Sequence, residues 1–253
     1  NGLEPLIPTG RIAAKNNQEV SIYLNKMIEY EVAQDPNSVY DIPSKLWQKH
    51  VLHFGGGADA QEQFQFKNYL FQYENYLEDT LFGGDVNSFY KTVSDPIDPV
   101  TLFEVNDYIA DGVSIMTFFG HAAADGFDQN VDDPSNWNNK GKYPITVGNA
   151  CLTGNIFEPT AFSTSEEYVL IEDAGSIAFL ANVKQAFSNS LHAYSSVLFD
   201  KIASDGYGES LGKNIMNSID DMEGVNTLSF GSYNVATQMT LHGDPALKVN
   251  SHL

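Results

Sequence analysis

Three stretches of this chain are apolar almost without interruption and no longer than a strand: Val113–Phe119, Pro144–Ala150 and Ser176–Ala181. Their β-branched and aromatic side chains suit extended backbone. A strand wetted on one face alternates apolar and polar residues, whereas a near-continuous apolar strand belongs to a mainly parallel sheet covered on both faces. Segments of helical period lie between them. Val20, Leu24, Met27 and Ile28 share one face of a helix over 18–32. Phe66, Leu70, Tyr73 and Leu77 do so over 61–81, and helices follow over 189–204 and 209–220. His50–Phe54 reads as a further short strand running into the turn Gly55-Gly56-Gly57. Strands alternating with helices give an α/β fold, a mainly parallel central sheet flanked by helices.

Composition removes several functions from such a fold. Among 253 residues, 33 acidic against 13 basic side chains leave a formal charge of −20. That balance argues against nucleic acid and against anionic lipid, which both select for Lys and Arg. The apolar runs fall far short of the roughly 20 residues that a membrane helix needs, so the chain is read as not membrane-spanning. Cys151 is the single cysteine, so no internal disulfide can form. The chain opens at Asn1 in what reads as a loop, as expected for a piece of something longer.

In a parallel α/β sheet, ligands bind beyond the carboxyl ends of the strands. Val113–Phe119 is followed by Gly120-His121, and Pro144–Ala150 by Cys151. If the two strands are neighbours, imidazole and thiol face one cleft, the placement a cysteine nucleophile with a histidine partner requires. Gly120, Ala122, Ala123 and Ala124 leave room for a substrate, and the N–H groups of Ala122 and Cys151 are candidates for an oxyanion hole. Taken singly, a lone cysteine is most often a small buried hydrophobe. The joint placement of the pair is what raises the catalytic reading.

At these residues the chain resembles the gingipain-like cysteine peptidases of the Bacteroidetes, which share the caspase-type fold. Gly10-Arg11-Ile12-Ala13-Ala14 and Lys26-Met27-Ile28-Glu29-Tyr30-Glu31 resemble that family's opening segment. Phe118-Phe119-Gly120-His121 resembles the strand carrying its histidine, and Asn149-Ala150-Cys151-Leu152-Thr153-Gly154 its nucleophile block. Gly175-Ser176-Ile177-Ala178-Phe179 and His242-Gly243-Asp244-Pro245-Ala246-Leu247 resemble the next strand and the closing motif. The resemblance implies a caspase-like three-layer sandwich over residues 1–253, as the catalytic part of a longer chain, with an N-terminal subdomain and C-terminal domains outside it. It implies cysteine endopeptidase activity on a protein or peptide substrate, with Cys151 as nucleophile and His121 as proton donor and acceptor. It also implies a secreted, periplasmic or cell-surface location.

Residue by residue, the carry-over has gaps. Ala122 stands where the family has Gly. Phe54 falls at the position of the family's acidic third member, so that role reads as lost. Gln63 falls closest to the aspartate with which arginine-specific members bind a basic side chain, and Asp59 and Glu62 are its neighbours. Without a buried carboxylate there, strong selectivity for Arg or Lys is not expected, since a desolvated guanidinium needs a charge partner. Gln185 and Phe187 match the family's glutamine and aromatic lid. Ser165–Leu170 and Ile177–Ala181 look closer to the branch that removes C-terminal signals in type IX secretion, often called its sortase, which would add secretion-system components as partners. No cofactor is required by this chemistry, and family members often bind calcium as a structural ion.

Other features carry blander readings. His50 and His53 have HxxH spacing, yet on a strand they point to opposite faces, which disfavours a metal site. Asp125, Asp128, Asp132 and Asp133 offer oxygen ligands of the kind calcium takes, but lack the EF-hand pattern, so a solvated acidic loop is favoured. Asp244 before Pro245 reads as a turn former. Two alternatives to an endopeptidase stay open at this point: a caspase-like module that has lost catalysis, and a transpeptidase in which an amine resolves the thioester.

Overall fold

The computed structural model describes residues 5–35, 41–79, 81–93, 98–99, 102–123, 126–131, 133–157, 163–224 and 229–249. In chain order the elements are α1 (Asn17–Gln34), α2 (Ile42–Lys45), β1 (His50–Gly55), α3 (Ala60–Leu77), β2 (Asp85–Tyr90), β3 (Asp98–Pro99) and α4 (Leu102–Asp111). There follow β4 (Ile115–Phe119), β5 (Ala122–Ala123), β6 (Gly126–Phe127), β7 (Gln129–Asn130), β8 (Ile145–Asn149) and α5 (Thr164–Leu170). The chain continues through β9 (Ala178–Asn182), α6 (Ser188–Ala203), α7 (Leu211–Gly224), α8 (Phe230–Gln238) and β10 (Met239–His242).

The three apolar runs become β4, β8 and β9, buried along their whole length. They sit inside a six-stranded sheet of order β10-β9-β8-β4-β1-β2. β1, β2, β4, β8 and β9 pair parallel, and only β10 is antiparallel to its neighbour β9. Successive side chains leave opposite faces of the sheet, and each face has its own core. Val51, Ile115, Phe119, Val147 and Leu180 pack with α3, α6 and α7. Leu52, Phe54, Met116, Phe118 and Phe179 pack on the other side with α4 and α5. The result is the expected three-layer sandwich.

On the second face an aromatic row crosses the sheet. Phe54 stacks on Phe89 and Phe118 at centroid distances of 5.6 and 4.9 Å, and Phe118 on Phe127 at 4.1 Å. Phe118→Ala would remove the middle of that row at a cost of about 3–5 kcal/mol.

One expectation is overturned. Val20, Leu24 and Ile28 of α1 are more than half exposed, and the helix instead buries Tyr23, Lys26 and Tyr30. The reason lies in what those side chains reach. Tyr23 donates to the Ile177 carbonyl at 3.2 Å and accepts from the Asp244 N–H at 2.7 Å. Tyr30 donates to the Lys248 carbonyl at 2.6 Å. Lys26 reaches three carbonyls around the end of α5. Long stems with polar tips bury apolar surface while satisfying backbone oxygens that aliphatic residues would leave bare.

Candidate active site

β4 and β8 lie side by side, with Phe119 opposite Asn149. Two residues beyond each of those positions come His121 and Cys151. The Gly120 N–H donates to the Asn149 carbonyl at 3.2 Å, which carries the pairing past the strand ends. Neighbouring strands are about 4.8 Å apart, so the two residues leave adjacent strand ends at the carboxyl edge of the sheet.

The His121 side chain is 51% exposed. Cys151 is half-buried, its thiol 4.0 Å from the Ala186 carbonyl. Leu152 follows with a φ of 65°, a left-handed conformation that costs about 1–2 kcal/mol for a residue with a Cβ. Its N–H donates to the Lys184 carbonyl at 3.3 Å. The turn at Cys151 is thereby tied to the loop over 183–187, which presents Gln185 and Phe187 to solvent.

His121 Nε2 lies 2.8 Å from Glu62 Oε2. Glu62 sits in the first turn of α3, where Asp59 Oδ1 caps the helix by accepting from the N–H groups of Gln61 and Glu62. Glu62 Oε2 also accepts from the Ala58 N–H at 2.9 Å. The hydrogen bond from His121 holds the Glu62 carboxyl below the usual glutamate range, and the Ala58 N–H acts in the same direction. With Nε2 donating to Glu62, the neutral imidazole keeps its lone pair on Nδ1.

Phe54, at the position expected of the acid, is a core residue. A carboxylate does meet His121, from α3 rather than from β1. Sequence reasoning placed Glu62 only as a neighbour of Gln63. Its 59-residue separation from His121 gave no local signal.

The other predicted site residues are distributed around this pair. Asp128 N–H donates to the His121 carbonyl at 2.9 Å, so Ala122 and Phe127 form a non-hydrogen-bonded pair in the β5–β6 ribbon. The Ala122 N–H thus points away from β6. Gln63 Nε2 donates to the carbonyls of Val93 at 2.8 Å and Gly57 at 3.3 Å, which leaves its amide oxygen as the group it presents.

In the acidic loop, Asp125 and Asp132 lie outside the described residues. Asp133 accepts from the Ser135 N–H at 2.8 Å, and Asp128 is bound to backbone N–H groups and to Lys91. Asp244 accepts from the Ala246 N–H at 2.8 Å, a turn as expected. His50 and His53 do point apart. His50 Nδ1 meets the Gly112 carbonyl at 3.1 Å, while His53 is buried among Tyr73 and Phe199, and burial pushes its imidazole down to about 3.

A family model, that of peptidase family C25, matches residues 2–250. Among solved structures, the arginine-specific cysteine proteinase gingipain R (RgpB) superposes with a TM-score of 0.76 at 14% identity, over 98% of this chain and 56% of that one. The complex of the pro- and mature domains of Porphyromonas gingivalis RgpB gives 0.74 at 15%, over 98% and 57%. A further protease gives 0.71 at 15%, over 98% and 57%. At such identities the likeness is one of fold, and the chain spans a little over half the length of these structures. No curated protein matches it.

Proposed function

The chain belongs to peptidase family C25, and from that premise we propose that it is a cysteine endopeptidase acting through Cys151 and His121. The observation that carries the reading is the pairing of Phe119 with Asn149, which sets the imidazole and the thiol on adjacent strand ends. The Glu62 carboxylate on His121 Nε2 supports it, because it fixes the ring and its tautomer. It also counts against an inert module, whose main argument was a missing acid.

In this mechanism Nδ1 of His121 takes the Cys151 thiol proton, and the resulting thiolate attacks the scissile carbonyl carbon. A C–S bond forms and the carbonyl oxygen takes the negative charge, facing the N–H groups of Ala122 and Cys151. The C–N bond then breaks as Nδ1–H of His121 protonates the leaving amine. Water attacks the resulting thioester, Nδ1 takes its proton, and the C–S bond breaks to release acid and thiolate. Gln63, Gln185 and Phe187 border the substrate side chain. Glu62 is engaged by His121 and Gln63 is neutral, so Arg and Lys are not strongly preferred. The resemblance to secreted peptidases favours work outside the cytoplasm. Among the described residues no helix is long and apolar enough to cross a membrane.

The test is profiling with a mixed peptide library alongside alkylation by a thiol-directed inhibitor. Cys151→Ala and His121→Ala should each abolish cleavage, a loss of at least about a thousandfold. An unalkylated Cys151 with no cleavage in the wild type would sink the proposal. Product masses with and without an added amine separate hydrolysis from transfer.

A further inference from the structure

We propose that Asp128 is a positioning residue of this site, its carboxylate fixing His121 against the turn that carries Glu62 and Gln63. The functional consequence rests on the peptidase reading; the geometry does not.

Asp128 Oδ1 accepts from the His121 N–H at 3.0 Å, and Oδ2 from the Gly57 N–H at 2.8 Å. The Asp128 N–H returns to the His121 carbonyl at 2.9 Å. His121 is thus held at its own N–H and C=O by a single residue. Gly57 opens the turn between β1 and α3, and its carbonyl accepts from Gln63 Nε2. One carboxylate therefore sets the spacing between the histidine and the turn that supplies both its acid and the pocket's amide.

The surroundings are built for that carboxylate. Lys91 Nζ lies 3.7 Å from Oδ2, on a side chain only 1% exposed. The Lys91 N–H donates to the Gly55 carbonyl at 2.8 Å, and the Gly56 N–H to the Phe119 carbonyl at 2.9 Å, so the ends of β1, β2 and β4 converge here. A Cβ at Gly56 or at Gly120 would overlap the Asp128 carboxylate. Both oxygens accept from an N–H. Asparagine would turn an NH2 toward one of those donors and lose the bond. Asp128, read from sequence as part of a solvated acidic loop, instead spends its oxygens on the catalytic strand end.

A misplacement of about 1 Å at a reacting group costs on the order of a hundredfold in rate. The whole chain is compared with Asp128→Asn and with Gly120→Ala, which keeps every charge and sets a Cβ against the carboxylate and, at 3.2 Å, against the Gly56 Cα. Circular dichroism and thermal unfolding give the folded fraction. Per folded molecule, kcat on the best library peptide should fall about a hundredfold in both, with KM within about threefold. Hydrogen exchange at the His121 N–H should quicken at least about tenfold. If Asp128→Asn fails to fold, Gly120→Ala decides. A kcat within about twofold of wild type, or a loss that only tracks the unfolded fraction, overturns the proposal. If the wild type shows no Cys151-dependent turnover, the peptidase reading fails by itself. His121 exchange then decides alone, and an unchanged rate in a folded variant overturns the role given to Asp128.

Discussion

Lys26 is 1% exposed and Lys91 4%, so each holds an amine out of water. Lys26 Nζ donates to the carbonyls of Val169 at 3.1 Å, Ala174 at 2.7 Å and Ser176 at 2.9 Å, and lies 4.7 Å from the centre of the Tyr143 ring. Three donors meet three backbone acceptors around one bend, between α5 and β9. Lys91 meets the Asp128 carboxylate, which in turn holds His121. The first lysine closes a turn of the scaffold, and the second neutralises a charge that the site needs. What a buried cation is for follows from what its partner is holding.

Removing Lys26 gives the largest effect on stability. Lys26→Met strands three buried carbonyls, and we expect a loss of about 3–5 kcal/mol by urea unfolding. Activity per folded molecule should be unchanged. A fall in kcat beyond the unfolded fraction would break the division between the two lysines.

Lys91→Met should destabilise less, by about 1–3 kcal/mol, since it leaves one partly buried carboxylate unpaired. Here kcat should also drop, by about tenfold. A Lys91→Met enzyme that loses stability but no rate would make both lysines scaffold.

The effect that is smallest per step is in pH. Burial pushes the Lys26 amine down to about 7, below its ordinary 10.5. Between those values the unfolded chain binds a proton that the folded chain has released. Stability therefore rises with pH from about 7 to 10, by at most about 1 kcal/mol per unit. Above 10 the buried tyrosines Tyr23 and Tyr30, whose hydroxyls burial holds protonated, reverse the slope. Urea unfolding across this range should show the rise in wild type and a shallower one in Lys26→Met, where the lowered Lys49 amine still contributes. A wild type as shallow as the variant would mean that Lys26 stays charged throughout.

The central strands were legible because burial on both faces leaves apolar runs of strand length, rich in β-branched and aromatic side chains. β2 was not legible. Its Asp85–Tyr90 sequence is mixed and mostly half-buried, as an edge allows. α1 was located, but its inner face was misjudged, because periodicity scores aliphatic residues and this helix buries Tyr23, Lys26 and Tyr30. At the proposed site, Cys151 and His121 drew attention because each comes just past a buried strand. Glu62 and Asp128 could not. One acts across 59 residues, and the other through backbone N–H groups that leave no trace in side-chain spacing.

The lone thiol has a chemical consequence of its own. An oxidant that converts the half-buried Cys151 to a sulfenic acid meets no second cysteine in this chain with which to form a disulfide. Repair depends on a thiol from outside these 253 residues. Until one does, further oxidation to the sulfinic acid is irreversible. On the peptidase proposal, activity is thereby tied to the redox poise of the surroundings.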